Sequence, residues 1–201
     1  MKNPIVNMKI RDGKEIKIEL YPSEAPESVK NFISLIKKGF FDGLLFWRVE
    51  NDKLIQGGCP DNDGTGTLGY SIKSECKENG VDNNLKFTRG TIGLGRFEFN
   101  TENSEFFIVT VDTPQLDGKF TSFGRVVEGM DEVDRISKIK TIEMGFFHKA
   151  AEEVVIEKMT VDTFGVEYGE PEKLPGFTKE EMVKKNNDII EERKKSGHKV
   201  I

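Results

Sequence analysis

The chain has 201 residues, 36% of them hydrophobic, with 15 Phe against one Trp and three Tyr. That is enough apolar material for one core, and the length suits one domain, or one domain with an appendage. A formal net charge of −5 argues against wholesale attraction to nucleic acid or an anionic membrane surface.

No stretch approaches the length of an apolar membrane span. The opening Met1-Lys2-Asn3-Pro4-Ile5 lacks the continuous apolar run of a secretion signal, so a cytoplasmic location is expected.

In chain order, the opening reads as a strand pair. Residues 5–10 and 14–20 largely alternate apolar with polar, and Asp12-Gly13 between them is a hairpin turn signal. A helix follows. Pro26 suits the first helical position, and Val29, Phe32, Ile33 and Ile36 fall at i, i+3, i+4 and i+7 on one face. Lys37 and Lys38 occupy the last turn and Gly39 ends it. That stripe is expected to seal one end of a β-core.

From 41 to 123, short apolar runs punctuated by Gly, Asn and Asp predict strands at 45–49, 53–56, 91–94, 106–111 and 122–126, as in a barrel or sandwich. A short second helix is predicted over 130–136, with Met130, Val133 and Ile136 on its apolar side, and a closing strand over 154–161.

After Phe164 the composition shifts. Residues 165–177 hold Gly and Pro with little core material, which predicts a linker. Thr178 followed by Glu181 forms a capping box for a charged helix running to Lys195, before Gly197. Met182, Val183, Ile189 and Ile190 give this helix only a thin apolar stripe. It reads as a peripheral helix packed on the barrel, or alternatively as a partner-binding or dimer-forming one. The expected division is a domain over 1–164 and a linker with a C-terminal helix over 165–201, the latter dispensable for chemistry.

Several motifs point nowhere. Gly64-Thr65-Gly66-Thr67-Leu68-Gly69 matches GxGxxG, but it leads into the extended-looking Tyr70-Ser71-Ile72-Lys73 and not into the helix that a dinucleotide site requires. Asp61-Asn62-Asp63-Gly64 hints at a calcium loop, yet aligning its glycine puts Cys59 and Tyr70 where an EF-hand needs carboxylates. Cys59 and Cys76 are in no CxxC arrangement and read as free thiols. With only His148 and His198 besides, no ligand pair has metal-site spacing, so neither a metal nor a cofactor is expected.

Three ordered groups of residues carry a resemblance. The first is Phe46-Trp47-Arg48-Val49 with Leu54-Ile55-Gln56-Gly57-Gly58. The second joins Gly64-Thr65-Gly66, Gly90-Thr91-Ile92-Gly93-Leu94-Gly95-Arg96 and Ser104-Glu105-Phe106-Phe107-Ile108. The third is Leu116-Asp117-Gly118-Lys119 leading to Phe123-Gly124-Arg125-Val126. Together with the helix at 26–32, they resemble the cyclophilin-type peptidyl-prolyl cis/trans isomerases, in a divergent, bacterial-like form, from about Ile5 to Phe164.

The resemblance implies a mainly β fold: an eight-stranded antiparallel barrel capped by two α-helices, here with a helical C-terminal tail. It implies an outer groove that takes proline-containing peptides or unfolded proteins, and an isomerase that assists protein folding. No bond is broken in that reaction. The barrier of ~18–20 kcal/mol is amide resonance, so a catalyst must stabilise the twisted bond. Arg48 matches the family's catalytic arginine, whose permanent charge donates to the prolyl nitrogen. Leu54, Phe107 and Leu116 match the apolar pocket and Gln56 the contact to the substrate backbone, while Gly64, Gly95, Arg96, Glu105 and Phe120 fall at the family's other groove positions. Strand alternation separates Phe106, facing in, from Phe107 and Glu105, facing the groove.

Departures from the family pattern are Lys53 in place of a pocket Phe, Glu105 in place of Gln, Gly95-Arg96-Phe97 where the groove segment often ends in Ala-Asn-Ala or Ala-Arg, Gln115 in place of the Trp or Phe before Leu-Asp-Gly, and Phe120 in place of His or Tyr. Gln115 implies weak cyclosporin binding. Glu105 is expected to pair with Arg48 and restrain it, or else with Arg96 or Lys53. The charged rim keeps open a second reading, a proline-peptide-binding module with little turnover.

Overall fold

The computed structural model describes residues 2–144 and 147–196. The opening hairpin is β1 (Ile5–Ile10) and β2 (Glu15–Leu20), paired antiparallel, with Asp12 in the left-handed region at φ 56° in the turn. Alternation buries Val6, Met8, Ile10, Ile16, Ile18 and Leu20 on one face. Helix α1 (Pro26–Lys37) follows with Pro26 in its first turn, and it buries Val29, Phe32, Ile33 and Ile36 as the spacing predicts.

The middle of the chain supplies β3 (Arg48–Glu50), β4 (Leu54–Gly57), β5 (Tyr70–Ser71), β6 (Thr91–Leu94), β7 (Phe106–Val109) and β8 (Ser122–Glu128). Helix α2 (Met130–Ser137) comes next, with Val133 and Ile136 buried. Then come β9 (Thr141–Met144), β10 (Phe147–Ala150), β11 (Ile156–Asp162), β12 (Leu174–Pro175) and α3 (Lys179–Ser196). Gly197, read as the stop of α3, and His198 lie outside the described residues.

One antiparallel sheet runs β11-β1-β2-β8-β6-β7-β4-β3-β10-β9, and β12 pairs separately with β5. The mainly β, antiparallel class is as expected, but the eight-strand count is corrected. Ten strands share the large sheet, because the β9–β10 hairpin extends it beyond β3 through Lys149 opposite Arg48.

The ladder does not close into a ring. The segments leading into β3 and β11 meet through a single bridge, Leu45 to Val155, flanked by Phe46 N–H to Val154 O (2.9 Å) and Ile156 N–H to Leu44 O (2.8 Å). Residues 45–47, predicted as part of a strand, make this closure instead. The curled sheet wraps an interior where Phe32 packs against Phe41, Phe106 and Phe123 at ring separations of 5.0–5.5 Å.

The segment after Phe164 is strapped to this body. Glu170 bonds Ser34 and Lys38 on α1, Glu172 N–H donates to Glu27, and Leu174 and Pro175 pair with β5.

Candidate active site

Strand register assembles the site. Arg48 on β3 lies opposite Gln56 on β4, Gln56 opposite Phe107 on β7, and Phe107 opposite Gly93 on β6. Directly opposed residues share a face, so Arg48, Gln56 and Phe107 form a row across three strands on the outside of the sheet. The residues beside them on each strand, Val49, Ile55 and Phe106, lie in the core.

Gly93 is required at the end of the row. A Cβ there would lie 2.7 Å from Phe87 and 2.8 Å from Phe107, whose stacked rings (5.5 Å apart, 16° between planes) cover it. Phe87, Phe107 and Val109 form a small apolar cluster with Leu54, Leu116 and Phe120 packed against it. The groove beside this cluster has a volume of about 280 Å³.

The Arg48 guanidinium is held from several sides. Its Nη1 donates to Gln56 Oε1 (3.0 Å) and its Nε to Glu50 Oε1 (3.0 Å), while its plane lies 4.5 Å from the centre of the Phe147 ring. Glu50, two residues along β3 on the same face, is buried, and its second oxygen meets His148 Nδ1 at 2.8 Å. The β9–β10 hairpin thus carries both Phe147 and His148 to the arginine.

At the other end of Gln56, Nε2 donates to Glu105 Oε2 (2.6 Å), which also accepts from Trp47 Nε1 (3.2 Å). Burial pushes the Glu105 carboxyl up to about 7. The bonds from Gln56 and Trp47, and the Arg48 charge, pull the other way but are outweighed. Further along, the Arg96 guanidinium lies between the rings of Phe99 (4.3 Å) and Phe120 (4.6 Å), with its Nε 3.6 Å from the fully buried Glu102.

The structure places all the residues singled out from the sequence, Arg48, Leu54, Gln56, Gly64, Gly95, Arg96, Glu105, Phe107, Leu116 and Phe120, along this one groove. It corrects the expected pairing of Glu105. Gln56 stands between it and Arg48, Glu50 takes the arginine's Nε, and Arg96 faces Glu102. Lys53 is exposed in the β3–β4 turn, and Gln115 is exposed in the short turn Pro114–Leu116.

Phe97, in the groove segment Gly95-Arg96-Phe97, lines the groove too, and so do Trp47, Thr101, Asn103 and Phe147, to which sequence reasoning gave no site role. It also missed Met182 and Ile189 of α3, which lie beyond Phe164 and line the groove as well. Gly64, with φ 81°, is shaped by Trp47: a Cβ there would sit 2.6 Å from the indole.

Residues 5–161 match the family model described as Cyclophilin type peptidyl-prolyl cis-trans isomerase/CLD. The chain is 39% identical over 145 residues to a "Peptidyl-prolyl cis-trans isomerase-like 1" of Gibberella zeae, covering 72% of this chain and 86% of that protein. It is 40% identical over 134 residues to a "Peptidyl-prolyl cis-trans isomerase" of Helicobacter pylori, covering 66% and 80%. A crystal structure of a Cryptosporidium parvum cyclophilin type peptidyl-prolyl cis-trans isomerase superposes with a TM-score of 0.71 at 25% identity, covering 81% of this chain and 99% of that one. A second, determined in the presence of the dipeptide Ala-Pro, gives 0.70 at 26% identity, covering 79% and 99%. With the matched region spanning most of the chain, and the arginine row lying on the outer face of the sheet, this chain belongs to the cyclophilin-type peptidyl-prolyl cis-trans isomerase family.

Proposed function

We propose that this chain accelerates rotation about X-Pro bonds in unfolded or flexible protein segments, with Arg48 as the catalytic residue. The observation that carries the reading is the cross-strand row that sets a fixed guanidinium beside an apolar pocket. The pocket of Leu54, Phe107, Leu116 and Phe120 takes the proline ring, while Arg48 donates to the prolyl nitrogen as it loses conjugation. Gln56 orients Arg48 through one end of its amide, and the second hydrogen on Nε2 can reach a substrate carbonyl.

Gly64, Gly95, Arg96 and Glu105 shape the remaining groove. A role in protein folding and a cytoplasmic setting fit this reading, supported by two buried free cysteines. Among the described residues no helix is long and apolar enough to cross a membrane. Residues 1–164 form the isomerase unit, to which 165–196 are attached as a strap and helix.

The test is an isomerisation assay on short X-Pro peptides with Arg48→Ala. Losing one preorganised donor lowers kcat/KM by roughly 10²–10³-fold. Unchanged turnover in a folded variant removes Arg48 from the mechanism. A second reading, a proline-peptide-binding module with little turnover, draws support from Glu50, whose carboxylate at 3.0 Å offsets the charge of Arg48. Peptide binding without acceleration in the same assay would favour it.

A further inference from the structure

Helix α3 lines the groove through Met182 and Ile189 and is anchored to two loops that line it as well. Lys179 Nζ pairs with Asp61 (2.5 Å), in the loop that carries Gly64. Lys185 Nζ pairs with Glu98 (3.0 Å), in the loop that carries Arg96 and Phe97. The helix start is fixed by its capping box, Thr178 N–H to Glu181 Oε2 (2.8 Å) and Glu181 N–H to Thr178 Oγ1 (3.2 Å). Just before it, Phe177 O accepts from Thr67 Oγ1 (3.1 Å), and the Phe177 ring lies 4.6 Å from the Lys185 ammonium.

Met182 and Ile189 are seven residues apart and so share a face. Met182 is 4% exposed and Ile189 half-buried, and both line the groove, whereas Val183 is turned outward. The groove keeps its volume of about 280 Å³ beneath them. The helix therefore borders the space and does not fill it.

We propose that α3 is a fixed wall of the substrate groove, and that Met182 and Ile189 are specificity-determining residues selecting an apolar side chain beside the X-Pro bond. This rests on the reading of the groove as the isomerase site. With the proline ring against Phe107, Leu116 and Phe120, the peptide continues toward the end of the groove bounded by Trp47, Phe97, Met182 and Ile189. Thr101 and Asn103 line the same groove and offer polar partners to a peptide backbone, while the apolar groups accept a side chain. Leu or Phe flanking the bond is favoured there, and Asp is disfavoured because its charge would be desolvated against the Met182 and Ile189 side chains.

The experiment uses the full chain and exchange NMR on X-Pro peptides that differ only in the flanking residue: Leu, Phe, Gly or Asp. The chain is expected to favour Leu and Phe. Met182→Ala and Ile189→Ala should each lower kcat/KM on those two peptides about tenfold, through KM, and leave the Gly peptide within about twofold. Ile189 is less buried than Met182, so Ile189→Ala serves as the test if Met182→Ala does not fold.

A uniform loss across the peptides, or no change, would overturn the proposal. So would a uniform gain, which would make the helix an obstruction. Arg48→Ala separates this failure from failure of the site itself. Full activity of that variant on every peptide would move catalysis away from the groove, whereas loss of activity in Arg48→Ala with an unchanged peptide preference in the α3 variants would reject only the wall.

Discussion

Replacing Glu105 with Gln removes a carboxyl that the fold holds in a costly place. Its pKa is about 7 in the structure and 4.5 when unperturbed. Below about pH 4.5 both folded and unfolded chains carry the proton and the group contributes nothing to stability. Between about 4.5 and 7 the folded chain binds more protons than the unfolded one, so stability falls as pH rises. Above about 7 the group is ionised in both states and the full penalty stands. The shift corresponds to about 3 kcal/mol, and for a chain of this size to about 6–12 °C in Tm.

Glu105→Gln retains an amide oxygen that can accept from Gln56 and Trp47, but it does not titrate. Thermal unfolding of both proteins near pH 5 and near pH 8.5 should show the difference, mutant minus parent, widening by about that amount toward alkaline pH. A pH-independent offset between the two would refute the assignment of the buried charge to Glu105.

Gly64→Ala combines a left-handed backbone (φ 81°) with a methyl group 2.6 Å from the Trp47 ring. It should cost roughly 1–3 kcal/mol in urea unfolding and shift the emission of the single Trp, since the indole must move. A silent fluorescence spectrum would contradict the packing. Cyclosporin should bind the parent chain weakly, because exposed Gln115 offers little apolar area. Gln115→Trp should tighten binding by about tenfold or more in calorimetric titration, and nanomolar affinity in the parent chain would contradict this.

The elements legible in the sequence were those whose side chains report their own surroundings. β1 and β2 alternate strictly because one face meets the core and the other does not, and α1 carries a complete i, i+3, i+4, i+7 stripe for the same reason. The groove residues from Arg48 to Phe120 emerged from the family resemblance, with alternation separating Phe106 from Phe107.

The β9–β10 hairpin escaped. It is an edge addition in which Ile142 and Met144 are exposed, so its residues follow no burial pattern. Trp47 carries no site role in the sequence, because the family pattern puts its Trp or Phe at position 115. Met182 and Ile189 were discounted as a thin stripe, although their sevenfold spacing was the available signal. The Arg48–Glu50 contact was not read from the sequence, although residues two apart on one strand share a face, and the depth at which it is buried depends on the hairpin laid over it.

The placement of β1 has a consequence for how the protein is made. This strand lies between its immediate successor, β2, and β11, whose residues follow it by about 150 positions. On the ribosome, one long edge of β1 therefore waits for nearly the whole domain to be synthesised. At ~5–20 residues per second that wait lasts roughly 8–30 s. Throughout it the nascent chain displays an unpaired row of backbone donors and acceptors, a template for any other extended segment nearby. A peptidyl-prolyl isomerase is thus itself, during synthesis, a chain whose first strand is completed by one of its last.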